Sequence, residues 1–92
     1  MKIKLRLFGE LKALADCREI EMSLTETTSL GEGLRLLEAK YHPTEIGIFE
    51  GGVLSRRFRV LLNGRDIFTL HGIDTILADG DTVAIFPHIV GG

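Results

Sequence analysis

The residues that could do chemistry are few, and the end of the chain stands out among them. Phe86-Pro87-His88-Ile89-Val90-Gly91-Gly92 closes on two residues without side chains, so nothing on them can pack and the backbone reaches the terminal carboxylate with no steric bulk around it. The Gly92 carboxylate, presented with Gly91, is the candidate reactive group. Pro87 has no amide hydrogen to give to a sheet ladder, so it is expected to stop the strand Thr82–Phe86 and leave 87–92 as a flexible tail.

Other chemistry is sparse. His42, His71 and His88 have no metal-ligand spacing, and the chain contains neither a Cys-x-x-Cys nor a His-x-x-x-His pair, so no metal site is expected. Glu19 and Glu21 fall on one solvated strand face, and Asp79 and Asp81 flank a glycine in a turn; neither pair reads as a general acid and base. Cys17 is the only cysteine, which excludes an internal disulfide and fits a reducing compartment. A net charge of -2 gives no global attraction to nucleic acid. No apolar run approaches the roughly 20 residues that span a bilayer, and Lys and Arg alternating with Leu and Ile at the N-terminus give no expectation of a signal-peptide core. Neither nucleic acid nor membrane is expected as a partner, and the cytoplasm is the expected location.

Ninety-two residues make one domain with a small core. Its first strand is read from Lys2 to Phe8, where Ile3, Leu5 and Leu7 alternate with Lys2, Lys4, Arg6 and Phe8. After a short Leu11–Leu14 turn, Arg18–Ser23 repeats the pattern with Ile20 and Met22 inward. Ser29-Leu30-Gly31-Glu32 has the spacing of a capping box. Leu30, Leu34, Leu37 and Tyr41 then form one helical stripe that Pro43 ends. Gly31 and Gly33 in the first turns read as points of close packing or of simple tolerance, ahead of a phosphate-holding Gly-x-Gly, since no strand leads directly into them.

Residues 44–57 are expected as a long loop, with room for a short strand. Phe58–Leu62 runs into Asn63-Gly64, a strong hairpin signal because both residues tolerate positive φ, and Ile67-Phe68 is expected to begin the return strand. Ile73, Ile76 and Leu77 are expected to cover an edge of the core. Asp79-Gly80-Asp81 turns into the last strand, with Val83 and Ile85 inward. The predicted fold class is α+β, a β-grasp (ubiquitin-like) roll. It has a mixed sheet of four to five strands, with the first and last as central neighbours and one main helix on its inner face. Phe8, Leu61 and Phe86 then share the outer face, rimmed by Lys2, Lys4, Arg6 and Arg59, as a candidate docking surface.

Asp79-Gly80-Asp81-Thr82-Val83-Ala84-Ile85-Phe86-Pro87, joined to Gly91-Gly92, resembles the C-terminal signature of the MoaD/ThiS family of ubiquitin-like sulfur carriers. The order of the other elements agrees along the chain. Where the family often has a second proline this chain has His88, and residues 42–57 are similar to those of longer archaeal small modifiers. The resemblance implies that Gly92 is adenylated by an E1-like enzyme using ATP and then converted to a thiocarboxylate. The sulfur would go to molybdopterin, with the chain as small subunit beside the large subunit of molybdopterin synthase. Phe8, Leu61, Phe86, Pro87, His88, Ile89 and Val90 would meet the partner. The chain would be a carrier with no cofactor of its own, any catalytic metal belonging to the partner. Alternatives are conjugation of Gly92 to target-protein lysines, sulfur donation to tRNA thiolation, and a binding module whose glycines are only a flexible end.

Overall fold

A computed structural model of the chain describes residues 1–8, 19–41, 49–50, 53–55 and 58–87. The expected Leu11–Leu14 turn, Cys17, His42 and the tail from His88 to Gly92 lie outside the described residues. Strict alternation in β1 (Lys2–Leu7) buries Ile3, Leu5 and Leu7 and exposes Lys2, Lys4 and Arg6. β2 (Glu19–Ser23) pairs antiparallel with it, Leu5 facing Ile20 and Arg6 facing Glu19.

The helix α1 (Leu30–Tyr41) begins where the capping box closes. Glu32 N–H donates to Ser29 Oγ at 3.2 Å and Ser29 N–H donates to Glu32 Oε1 at 3.3 Å, satisfying donors that a helix start leaves unpaired. Leu30, Leu34 and Leu37 are buried against the sheet. Close packing explains Gly31, because a Cβ there would lie 3.1 Å from both Cβ and the carbonyl oxygen of Ile73.

Within 44–57 the structure contains a small hairpin, β3 (Phe49–Glu50) with β4 (Val53–Leu54), paired Phe49 to Leu54. β5 (Phe58–Leu62) turns through Asn63 at φ 51° and Gly64 at φ 83°. The return strand differs from expectation: β6 is only Arg65–Asp66, and Ile67–Thr69 is a single 3-10 turn. The reason is local. Asp66 Oδ1 accepts from Phe68 N–H at 2.9 Å, which gives that amide a partner outside any ladder and starts the turn.

A second 3-10 turn, Gly72–Asp74, follows. Of the expected edge cover, Leu77 is buried and Ile73 packs against the core, but Ile76 is 58% exposed. Leu30 N–H donates to Thr75 O at 2.7 Å and Leu77 N–H to Thr28 O at 3.0 Å. These bonds hold the segment extended, so Thr75 and Leu77 face in and Ile76 faces out.

β7 (Thr82–Pro87) completes a five-stranded sheet of order β2-β1-β7-β5-β6. It runs parallel to β1 and antiparallel to β5, the β-grasp arrangement. Pro87 does not stop the strand short; it is its last residue, opposite Phe58, a position where the missing amide hydrogen costs the ladder little. Among the described residues no helix is long and apolar enough to cross a membrane.

Candidate functional site

The site is built at the C-terminal end of β7. Because β1 and β7 are parallel with Leu7 opposite Ile85, the residues that follow, Phe8 and Phe86, become neighbours on the outer face. Phe8 N–H extends the pairing by one bond, 3.2 Å to Ile85 O. The two rings stack with centroids 4.3 Å apart and planes 12° from parallel, an arrangement worth about 0.5–1.5 kcal/mol beyond the area it buries. On the other side of β7, Leu61 lies opposite Ala84 and Arg59 opposite Phe86. The structure therefore brings Phe8, Leu61 and Phe86 onto one surface, each half-buried.

Three of the four cations of the expected basic rim, Lys2, Arg6 and Arg59, lie beside carboxylates of this chain. Lys2 Nζ lies 3.5 Å from Glu21, Arg6 Nε 3.8 Å from Glu19, and Arg59 Nε 3.1 Å from Asp66. Arg6 and Glu19 stand directly opposite each other on β1 and β2, while Lys2, opposite Ser23, reaches Glu21 on the diagonal, as Arg59 on β5 reaches Asp66 on β6; cross-strand opposite charges attract. Arg6 also places its guanidinium 5.8 Å from the centroid of the Phe8 ring, within cation–π range. The hydrogen bond from Phe68 N–H holds the Asp66 carboxyl below its ordinary value of 3.8; desolvation opposes this, and Arg59 adds to it.

The start of β7 is fixed with equal care. Lys2 N–H donates to Asp79 Oδ1 at 2.7 Å, Gly80 N–H to Lys2 O at 2.8 Å and Ala78 N–H to Asp81 Oδ2 at 2.8 Å. Asp79 and Asp81 are thus turn-builders. Gly80 sits at φ 86°, where an L side chain would be strained.

Of the other residues singled out, Pro87 ends β7, while His88, Ile89, Val90, Gly91 and Gly92 lie outside the described residues. His71 is exposed, and the described residues contain no cluster of His, Cys, Asp or Glu able to hold a metal ion. Between α1 and the sheet, a small cavity is lined by apolar side chains including Ile3, Met22, Leu34 and Val83, which supply no catalytic group. Sequence reasoning missed Phe68, which is 77% exposed. Its signal was Asp66 placed two residues before it, the spacing of a side-chain cap on a turn.

Comparison with known proteins agrees with this geometry. Residues 5–92 match the ThiS family. The chain is 34% identical over 92 residues to small archaeal modifier protein 3 of Haloferax volcanii, covering 100% of both. The solution structure of small archaeal modifier protein 1 from Methanosarcina acetivorans superposes with a TM-score of 0.84 at 31% identity, over 99% of this chain and 96% of that one. The crystal structure of SAMP1 from Haloferax volcanii gives a TM-score of 0.84 at 26% identity, over 100% of each. The chain therefore belongs to the ThiS family, with the β-grasp fold of the ubiquitin-like small modifiers and sulfur carriers.

Proposed function

We propose that this chain is a small modifier whose Gly92 carboxylate is activated by an E1-like enzyme and joined to lysines of target proteins. The carboxylate attacks the α-phosphorus of ATP and expels pyrophosphate; a nucleophile then attacks the acyl carbon and expels AMP. This chain contributes the substrate and a handle, and the partner contributes the catalytic groups, the nucleotide and its metal. The observation that carries the reading is the Phe8–Phe86 stack at the tail end of β7. A partner docked there holds the tail at high effective concentration near its own active site. Gly91 and Gly92 let extended backbone enter a channel too narrow for any Cβ. Full-length similarity to a protein named as a modifier favours lysine conjugation as the fate of the acyl group.

Membership of the ThiS family favours a second fate, sulfide attack on the adenylate to give a thiocarboxylate. The sulfur would then pass to molybdopterin on a synthase large subunit, or to tRNA thiolation. Mass spectrometry of protein from its native cell separates the fates. No Lys or Arg follows Arg65, so trypsin would leave residues 66–92 as the branch on a modified lysine, and conjugation is expected to show that branch. Thiocarboxylate formation is expected to show one oxygen-to-sulfur replacement in the intact chain. If neither is found with ATP and the activating enzyme present, and if Gly92 deletion leaves cellular function intact, the reactive-terminus reading is wrong.

A further inference from the structure

Asn63 and Gly64 form the tip of the β5–β6 hairpin, and the pair carries a chemistry that the turn itself does not use. In an Asn-Gly pair the glycine nitrogen, with no side chain beside it, can attack the asparagine Cγ. The N–Cγ bond forms, the Cγ–Nδ2 bond breaks, the glycine amide proton leaves with the nitrogen as ammonia, and a five-membered succinimide remains. Water then opens one of its two carbonyls, giving aspartate or isoaspartate. Asn63 is the only asparagine of the chain, and glutamine is absent. Both residues of the tip are exposed, and apart from chain neighbours no heavy atom lies within 4 Å of the place a Gly64 Cβ would take. Water and room for the reaction are therefore at hand.

What restrains the step is the direction of the amide. Asn63 Oδ1 accepts from Thr82 N–H at 2.9 Å and Nδ2 donates to Asp81 Oδ1 at 2.9 Å, so both amide atoms are committed to the start of β7. Ring closure needs Cγ to swing against the Gly64 nitrogen, and both bonds must break first. The main chain adds a second restraint. Asn63 holds φ at 51° and Gly64 at 83°, and the Asn63 N–H donates to Thr82 O at 2.8 Å, so the tip keeps one conformation while β5 and β7 stay paired.

We propose that Asn63-Gly64 is a self-modifying site that β7 keeps closed, the succinimide forming when Asp81 and Thr82 release the Asn63 amide. Local opening of this kind is a normal event in a folded chain. The modification is one-way. An aspartate product has no amide hydrogen to give to Asp81 and sets a second carboxylate against it. An isoaspartate product also adds a carbon to the main chain of a two-residue turn. Either product leaves the start of β7 without the bond from Asn63 to Asp81, and the altered chain opens more readily than its parent. The hairpin tip thus records, irreversibly, how often the start of β7 has come free.

The test is mass spectrometry of the full chain incubated warm at neutral pH. Each event adds about one mass unit, and trypsin places it in the peptide 60–65, between the cuts after Arg59 and Arg65. The chain unfolded in guanidinium is expected to gain this mass about 10- to 100-fold faster than the folded chain, the retardation that two hydrogen bonds provide when both must break. Asp81→Ala removes the acceptor of Nδ2 and is expected to raise the folded-state rate about 3- to 10-fold. Leu37→Val, a core change on α1, is expected to leave that rate unaltered. Modified chain, separated from its parent by charge, is expected to unfold at a lower urea concentration. Equal rates in the folded and unfolded chains overturn the restraint by β7. No mass gain at 60–65 in the unfolded chain overturns the site itself. Equal acceleration by Asp81→Ala and Leu37→Val assigns the reaction to global unfolding and overturns the part given to the Asn63 bonds. An unchanged urea midpoint in the modified chain overturns the loosening of β7.

Discussion

Asn63 Oδ1 accepts the Thr82 amide hydrogen at 2.9 Å, joining the tip of the β5–β6 hairpin to the first residue of β7. Asn63 Nδ2 donates to Asp81 Oδ1 at 2.9 Å, and the Asn63 backbone N–H donates to Thr82 O at 2.8 Å. The residue also holds φ at 51°, a region that asparagine tolerates better than most side chains. Asn63→Ala is expected to lower stability by about 1–3 kcal/mol, read as a lower urea midpoint. Asn63→Asp keeps the acceptor for Thr82 but sets a carboxylate against Asp81, so its loss should be larger at neutral pH than in acid. An unchanged midpoint for Asn63→Ala would show that the ladder alone fixes β7.

Gly31 and Gly33 separate two effects that share one substitution. Alanine is favoured over glycine in a helix by about 1 kcal/mol. At Gly33 the new methyl would meet Leu77 and Leu24 at 3.4 and 3.6 Å, ordinary contact, so Gly33→Ala is expected to raise the melting temperature slightly. At Gly31 it would meet the Ile73 backbone oxygen at 3.1 Å, and backbone cannot swing aside as a flexible side chain can. Gly31→Ala is therefore expected to lower it. Thermal melts of the two variants side by side decide the matter, and equal shifts would show that the α1–Ile73 contact relaxes freely.

Asp66 has a lowered pKa in the folded chain, first from the Phe68 N–H and also from Arg59. A carboxyl depressed by folding contributes stability above its unfolded pKa, and that contribution is lost as pH falls through the folded value. The advantage of wild type over Asp66→Asn is expected to be constant at neutral pH and to shrink below about pH 3.8. Denaturant titrations from neutral pH into acid test this. A difference that grows in acid would mean that the carboxylate is not the stabilised form.

Phe8 and Phe86 should be energetically coupled. In a double-mutant cycle of Phe8→Ala and Phe86→Ala, the two losses are expected to fall short of additivity by about 0.5–1.5 kcal/mol, because the second truncation has no ring left to stack on. Additive losses would reduce the 4.3 Å contact to adjacency. Docking should be more sensitive than stability, since both rings are half-buried and face the proposed partner.

Much of this was legible locally. Alternation over Lys2–Leu7 and Phe58–Leu62 named the buried residues, because a strand has period two wherever it sits. Ser29 and Glu32 marked the helix start through bonds that span three residues, and Asn63-Gly64 marked a turn through φ preferences intrinsic to those residues. The hairpin Phe49–Leu54 was available as well, since Gly51-Gly52 between two short apolar segments is a turn signal of the same kind. Gly91-Gly92 could be read without any fold, as a tail with no side chains.

Other features depended on partners far along the chain. Periodicity says which face a residue takes but not which strand lies beside it, so the Phe8–Phe86 contact exists only because the first and last strands pair in parallel. The three carboxylates beside Lys2, Arg6 and Arg59 arrive from β2 and β6, strands brought alongside β1 and β5 by the fold. Ile76 points outward because Thr28 and Leu30 hold its segment extended, and β6 ends early because Asp66 captures the Phe68 amide. The sequence by itself determined the longer strands and the helix start, each set by interactions among neighbours, and the pair of glycines at its C-terminal end. Tertiary structure decided which aromatic rings meet, which charges remain for a partner, and that Phe68 stands exposed, because these depend on long-range pairing.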